Sequence, residues 1–253
     1  MIKVVILGGG NVAFHLTAHF LKNKDIQIVQ VYNRSIAKIE YLKKQTSITN
    51  KLNELKEADI YIISVADNAI AAISSQLNFK NKLVVHTSGS VAISELKSTS
   101  NKGVFYPLQS FSKEQNINFL EIPMCIEAET DSNFKLLETL AKSISNNIYP
   151  INSEQRKGLH IAAVFVNNFV NHLYQIGNEI CIKNEISFRI LHPLIKETAN
   201  KIISLTPLNA QTGPAKRNDT KTIKKHEAML PLNQQEIYTL LTKSIAKTYG
   251  KKL

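Results

Sequence analysis

The stretch Ile2-Lys-Val-Val-Ile-Leu-Gly-Gly-Gly-Asn-Val-Ala13 decides the fold of this 253-residue chain. Six strand-forming residues, Ile2 to Leu7, run straight into glycines, and an amphipathic segment from Asn11 to Leu21 comes next. Strand, glycine turn and helix are the opening of a βαβ unit. Within it, Gly8-Gly9-Gly10-Asn11-Val12-Ala13 spells Gly-x-Gly-x-x-Ala, a weak string alone that gains its meaning from this context. Gly8 permits a tight turn, Gly10 the close approach of backbone to a pyrophosphate, and Ala13 close packing of helix on strand. The amides of Asn11, Val12 and Ala13 then face an anion from the positive end of the helix. A glycine turn serving packing alone is the competing reading.

Outward from this turn the same rhythm continues. Ile26 to Tyr32 reads as a second strand, Ser35 to Lys44 as a helix with Ser35 as N-cap, and Thr46 to Thr49 as a short third strand. Ile60 to Val65 and Leu83 to Thr87 are continuous apolar runs, the pattern of strands buried on both faces. Helical segments near Asn68 to Leu77 and Val91 to Leu96 come after them. The alternation predicts an α/β fold with a parallel, doubly wound, Rossmann-like sheet. After Gly103 come a strand and loop over Val104 to Phe111, a strand Met124 to Ala128, a helix Asn133 to Ser145 and a last strand Asn147 to Ile151. From Ser153 the strand signals stop. Helices are expected over Ser153 to Cys181, Ser187 to Leu205, Thr220 to Met229 and Asn233 to Thr248, the last with a capping box of Asn233 and Glu236. The spacing predicts a dinucleotide-binding domain over 1–151 and an all-α domain over 152–253, close to the prior of about 150 residues per domain.

Composition narrows the class. Hydrophobic residues are 43% and charged residues 20%, the balance of a globular chain. The excess of 31 Lys+Arg over 20 Asp+Glu gives +11, which raises nucleic-acid binding as a question. Only 4 of the basic residues are Arg, the side chain suited to phosphate and base recognition, and no lysine block exceeds a pair. Nucleic acid is therefore not expected as a partner. Cys125 and Cys181 form no Cys-x-x-Cys or Cys/His pattern, so neither a disulfide framework nor a metal site is predicted. No apolar run approaches a membrane span, and Ile2 to Leu7 is too short for a signal peptide. A soluble cytoplasmic protein is the expectation.

The end of the second strand, Tyr32-Asn33-Arg34-Ser35, bears on the choice of dinucleotide. An NAD site places a carboxylate there to hold the ribose hydroxyls. None is present, and a guanidinium with a hydroxyl suits a 2′-phosphate, with Lys38 one turn on. NADP(H) is the expected cofactor, bound by Gly8, Gly9, Gly10, Asn11, Val12, Ala13, Asn33, Arg34 and Ser35. Arg34 as a solvated loop residue is the alternative. Val65-Ala66-Asp67-Asn68 and His86-Thr-Ser-Gly-Ser90 end the next two long strands, where an open α/β sheet holds its ligand, so Val65, Ala66, Ser88 and Gly89 are expected to line the cofactor. Asp67 reads as a helix N-cap before an acid catalyst. Thr-Ser-Gly-Ser lacks the Gly-x-Ser-x-Gly spacing of a nucleophile elbow, so a hydrolase is rejected.

In the helical half, His160, Asn167 and Asn171 fall within roughly 40° of one another at about 100° per residue, with Asn168 and Gln175 nearby. Polar groups on an otherwise apolar helix need partners. One reading is a substrate-facing stripe with His160 as proton donor; the other is a polar seam at an interface. The loop Gln211 to Thr220 holds Thr212, Gly213, Arg217 and Asp219 close together, either to hold an anion or as a plain helix connector. His192 and His226 are expected to be structural.

With these segments in view, the chain resembles the superfamily of pyrroline-5-carboxylate reductase and 6-phosphogluconate or 3-hydroxyacid dehydrogenases. Within it the chain is similar to Rossmann-like NADP oxidoreductase-type proteins with a C-terminal helical domain of unknown function. Phe105-Tyr-Pro-Leu-Gln-Ser-Phe111, Leu159-His-Ile-Ala-Ala-Val164 with Asn167-Asn168, and Thr212-Gly-Pro-Ala-Lys-Arg-Asn-Asp219 carry that likeness. The resemblance implies an NADP(H)-dependent oxidoreductase acting on a small molecule, with hydride transfer in an interdomain cleft, a lean to imine or ketone reduction and a homodimer formed through the helical domain. The catalytic lysine that hydroxyacid dehydrogenases place four residues before an asparagine is missing, since Ala163 and Val164 stand there. That absence keeps a non-catalytic NADP-binding regulator as the alternative.

Overall fold

The computed structural model describes residues 1–251. The chain divides into two compact units, Met1–Asn167 and the residues from Asn168 onward. The first unit is built on an eight-stranded sheet: β1 (Ile2–Leu7), β2 (Ile26–Tyr32), β3 (Ser47–Thr49), β4 (Ile60–Ile63), β5 (Leu83–His86), β6 (Asn101–Pro107), β7 (Met124–Ala128) and β8 (Ile148–Pro150). Their order is β3-β2-β1-β4-β5-β6-β7-β8. Every neighbouring pair is parallel except β6 with β7. The expected doubly wound α/β sheet is present.

The continuous apolar strands do what their pattern requires. Val4, Ile6, Ile60, Ile62, Leu83 and Val85 face one core, which α1 (Asn11–Phe20) and α3 (Asp131–Lys142) complete through Ala13, Leu16, Leu137 and Leu140. The alternate residues Val5, Leu7, Tyr61, Ile63 and Val84 face a second core with Ile70 of α2 (Ile70–Ser74). Side chains alternate across a strand, so both sets must be apolar when both faces are covered. Chain order reverses at β1, which pairs with β2 on one side and β4 on the other. Beyond the carboxyl ends of these strands lies the crevice where such sheets bind ligand.

Several expected elements take a different form. Ser35 to Lys44 is no α-helix but two 3₁₀ turns, Ile36–Lys38 and Glu40–Leu42, and Ser35 makes no side-chain cap. Its apolar residues, Ile36, Ile39 and Leu42, recur every three positions, and a 3₁₀ turn eclipses residues at that spacing. Val91 to Leu96 contracts to a 3₁₀ turn, Ile93–Glu95. Asp67 caps nothing: it lies inside the 3₁₀ turn Asp67–Ala69, whose cap residue is Ala66. The segment expected as one helix from Ser153 is α4 (Ser153–Ala163), a π-helical turn over Val164–Phe169, and α5 (Val170–Lys183). A working capping box occurs at α4, where Asn152 and Gln155 exchange side-chain and backbone bonds.

The second unit continues from α5 with α6 (His192–Ser204), α7 (Pro207–Ala210), α8 (Pro214–Arg217), α9 (Thr220–Met229) and α10 (Leu232–Thr248). The expected box at Asn233 is not formed, because α10 already starts at Leu232 behind Pro231 and Asn233 lies within its first turn. This unit buries little apolar side chain of its own, chiefly Cys181, Ala215, Ile223 and Ala246. Leu173, Tyr174, Ile182, Leu194, Ile203 and Leu240 are exposed. No helix among the described residues is long and apolar enough to cross a membrane.

Candidate cofactor and active site

The glycine turn is wedged between two strand ends. Gly8 donates its amide to Tyr32 O at 2.8 Å, and Ser64 donates to Leu7 O at 2.7 Å. Gly8 has φ +144°, and a Cβ there would lie 2.0 Å from the Ser64 carbonyl oxygen. A Cβ on Gly9 would press on Asn33 and Ile39, at 3.1 and 3.2 Å. Gly10 differs: nothing lies within 4 Å of its missing Cβ. It is the cap residue of α1, extended and without a side-chain cap, and no acidic residue stands in the first turn. The first helical bond runs from Phe14 N to Gly10 O, so the amides of Asn11, Val12 and Ala13 have no intrahelical acceptor. Ala13 is buried, as close packing of helix and strand requires. The Asn11 side chain is spent on Phe111 O at 2.7 Å and ties down the loop after β6.

At the end of β2, Asn33 donates its amide to Thr49 O and its side chain to Ser35 O. This turn leaves Arg34 and Ser35 exposed. Among the described residues no carboxylate pairs with Arg34. Free amides at a glycine cap, open space where a side chain would stand, and an unopposed cation beyond β2 fit the pyrophosphate and 2′-phosphate of NADP(H).

After β4, Val65 is half-buried and Ala66 exposed. Asp67 accepts from the Ser90 hydroxyl at 2.5 Å, so it braces the next loop. In that loop Ser88 Oγ accepts from the amides of Ser90 and Val91, and Ser88 N donates to His86 Nδ1 at 3.1 Å. Burial, with the Arg156 guanidinium next, pushes the His86 imidazole down to about 4. His86 is thus a neutral, buried group.

Gly89 is the contact point of this loop. A Cβ on it would lie 2.6 Å from His160 Nδ1 and 2.7 Å from Tyr106 Cζ. Tyr106 Oη and His160 Nδ1 are 3.3 Å apart, with the rings edge-on. Burial first, with Cys125 adding, pushes the Tyr106 phenol up to about 12. One turn before His160, Arg156 is fully buried. It donates to Glu127 Oε2 and to Val91 O, each at 2.5 Å, and to Ser153 Oγ at 3.2 Å. The guanidinium therefore ties α4 and β7 to the loop that carries Gly89.

His160 is brought against Gly89 by these contacts. The uniform α-helical pitch on which an alignment with Asn167 and Asn171 depends is interrupted by the π-helical turn Val164–Phe169. Asn167 and Asn171 are exposed, and Gln175 bonds Glu179 at 3.1 Å within α5. In the loop Gln211 to Thr220, Asp219 caps α9 through Thr222, which holds its carboxyl below the usual range. Lys216 bonds Gln211 O and lies over the Tyr249 ring, while Arg217 is exposed. His226 bonds Tyr238 Oη at 2.9 Å, and His192 stands edge-on to Phe188.

The fold and the glycine cradle define a dinucleotide-binding α/β protein. Residues 3–89 match the family described as NADP oxidoreductase, coenzyme F420-dependent, and residues 122–245 match a domain of unknown function. A candidate NADP oxidoreductase from Bacteroides fragilis is 38% identical, covers 97% of this chain and 98% of its own, and superposes with a TM-score of 0.88. The chain belongs to this family of NADP oxidoreductases, which joins that N-terminal domain to the C-terminal one. Two more distant structures share the fold. An imine reductase from Myxococcus stipitatus in complex with NADP+ is 14% identical, covers 97% and 92% of the two chains, and gives a TM-score of 0.65. A 1-pyrroline-5-carboxylate reductase from Streptococcus pyogenes is 13% identical, covers 98% of each, and gives 0.67. No curated protein matches the sequence.

Proposed function

We propose that this protein is an NADP(H)-dependent reductase of a C=N or C=O bond in a small molecule. The observation that carries the cofactor reading is the uncapped start of α1 above Gly8 and Gly10, whose three amides lack intrahelical acceptors. Gly8, Gly9, Gly10, Asn11, Val12 and Ala13 form the pyrophosphate cradle, with the backbone of Asn11 and not its side chain turned to this task. Asn33, Arg34 and Ser35 hold the 2′-phosphate. Val65, Ala66 and Ser88 line the far end of the cofactor, and His160 supplies acid–base chemistry, with Asn167 and Asn171 as further polar groups for substrate. Bound NADPH supplies the hydride. The lean to imines and ketones comes from the distant imine and pyrroline-5-carboxylate reductases that share the fold.

Residues 1–151 are the cofactor domain and 152–253 the helical domain, although α4 packs with the first unit through Arg156. The exposed apolar residues of the helical unit support a homodimer formed through that surface. The two cysteines, both free and buried, suit a reducing compartment. The test is NADPH oxidation across a panel of cyclic imines and 2-keto acids. The reading predicts turnover with at least one of them. Tight NADPH binding with no oxidation by any of them contradicts it and leaves the regulator.

A further inference from the structure

We propose that Tyr106 hands the proton to the substrate atom being reduced, and that His160 returns one to Tyr106 from solvent. This assignment rests on the reductase reading above. It begins with position. Tyr106 lies near the carboxyl end of β6, which pairs with β5 in parallel through His86 and Val104. Its ring thus stands at the sheet edge where an open α/β fold holds its ligand. Gly89, in the loop leaving β5, runs against both the phenol and the imidazole, with the two groups 2.9 and 2.6 Å from where a Cβ would be. The absence of a side chain there is what lets the loop reach the pair.

The pairing fixes the roles. His160 Nδ1 is committed to the Tyr106 oxygen at 3.3 Å, which leaves Nε2 as the ring nitrogen that exchanges with water. The phenol keeps its proton until about 12, because burial outweighs the Arg156 charge, and Cys125 and Asp67 act in the same sense as burial. It is therefore a donor throughout the working range of pH. Arg156 also braces the frame. Arg156, one turn from His160, holds the Val91 carbonyl and Glu127 together, and desolvating such an ion pair is costly unless its hydrogen bonds are well made.

The step balances. Bound NADPH would supply hydride to the substrate carbon, forming the C–H bond, and the π electrons of C=N or C=O would move to the heteroatom. The heteroatom takes the Tyr106 hydroxyl proton. The phenolate oxygen takes the Nδ1 proton of His160, His160 Nε2 takes one from solvent, and exchange of the Nε2 proton back to solvent with reprotonation of Nδ1 restores the starting tautomer. One hydride and one solvent proton are consumed, and NADP+ is left.

The experiment compares the wild-type chain with Tyr106→Phe and His160→Ala, using NADPH and 1-pyrroline. Positioned acids contribute about 10²- to 10⁴-fold. Tyr106→Phe is expected to lower kcat at least about 100-fold with NADPH affinity within about twofold. His160→Ala is expected to recover turnover when free imidazole is added, and Tyr106→Phe is not. The double variant should be no slower than Tyr106→Phe alone, since members of one relay are not additive. In nitrogen-15 spectra His160 should be a fixed Nδ1–H tautomer that is released in Tyr106→Phe. Turnover of Tyr106→Phe within about threefold of wild type, or an unchanged His160 spectrum, overturns the assignment and leaves the reductase reading standing. Failure of the wild type itself to oxidise NADPH with 1-pyrroline or the wider panel takes down both, and shows before any substitution is made.

Discussion

Gly8 and Gly10 are glycines for opposite reasons. Gly8 has φ +144° and faces the Ser64 carbonyl, so a side chain there meets its own protein. Gly10 has ordinary dihedrals and open space, so a side chain there would meet only what binds. Gly8→Ala is expected to cost about 3 kcal/mol or more of stability, from backbone strain and overpacking together. Gly10→Ala should keep its melting temperature and lose NADPH affinity. Thermal denaturation beside a fluorescence titration checks both, and equal losses of stability would contradict the distinction. These residues are legible in the sequence because a glycine fingerprint is a local pattern read off consecutive positions. Tyr106, Arg156 and Glu127 carry no such signal. An aromatic residue in a strand reads as core, and an arginine in a helix reads as surface. Only the β6–β7 pairing and the packing of α4 bring the three to the loop after β5.

At the scale of elements, most strands are legible to within a residue or two, because apolar runs buried on both faces leave little latitude, although β6 starts at Asn101 and not at Val104. The helices are less so. Ile36, Ile39 and Leu42 satisfy a helical face and a 3₁₀ turn alike, and the π-helical turn over Val164–Phe169 leaves no mark in a period count. Packing decides both. The loop after β5 supplies a prediction of its own. The His86 imidazole titrates near 6.5 in the unfolded chain and about 4 in the folded one. Between those values the unfolded chain binds a proton that the folded chain does not, so stability rises with pH through that window. Lowering pH from about 7 to about 4 should therefore remove about 3 kcal/mol through this group. Urea denaturation across that range measures it, and His86→Gln should flatten the slope by that amount. An unchanged slope would mean that His86 is not held neutral.

At the scale of the whole molecule, the first unit closes its own core and the helical unit does not. Ile203 is 84% exposed and Leu232 78%, a poor arrangement for a surface left in water. Sedimentation should give twice the chain mass at micromolar concentration, and Ile203→Glu should shift it toward the single chain. A wild-type monomer would contradict the homodimer. The charge of +11 also has a narrower meaning than composition suggests. Most lysines stand on the surface, several in short-range pairs such as Lys43 with Glu40 and Lys142 with Glu138. The cation that bears on the cofactor is Arg34, exposed beyond β2 and, among the described residues, paired with no carboxylate. The most direct measurement is the affinity of wild type and Arg34→Ala for NADPH and NADH. A guanidinium on the 2′-phosphate predicts that the substitution weakens NADPH about 10- to 100-fold and NADH less than about threefold. Equal losses for the two nucleotides, or wild-type protein that prefers NADH, would contradict it.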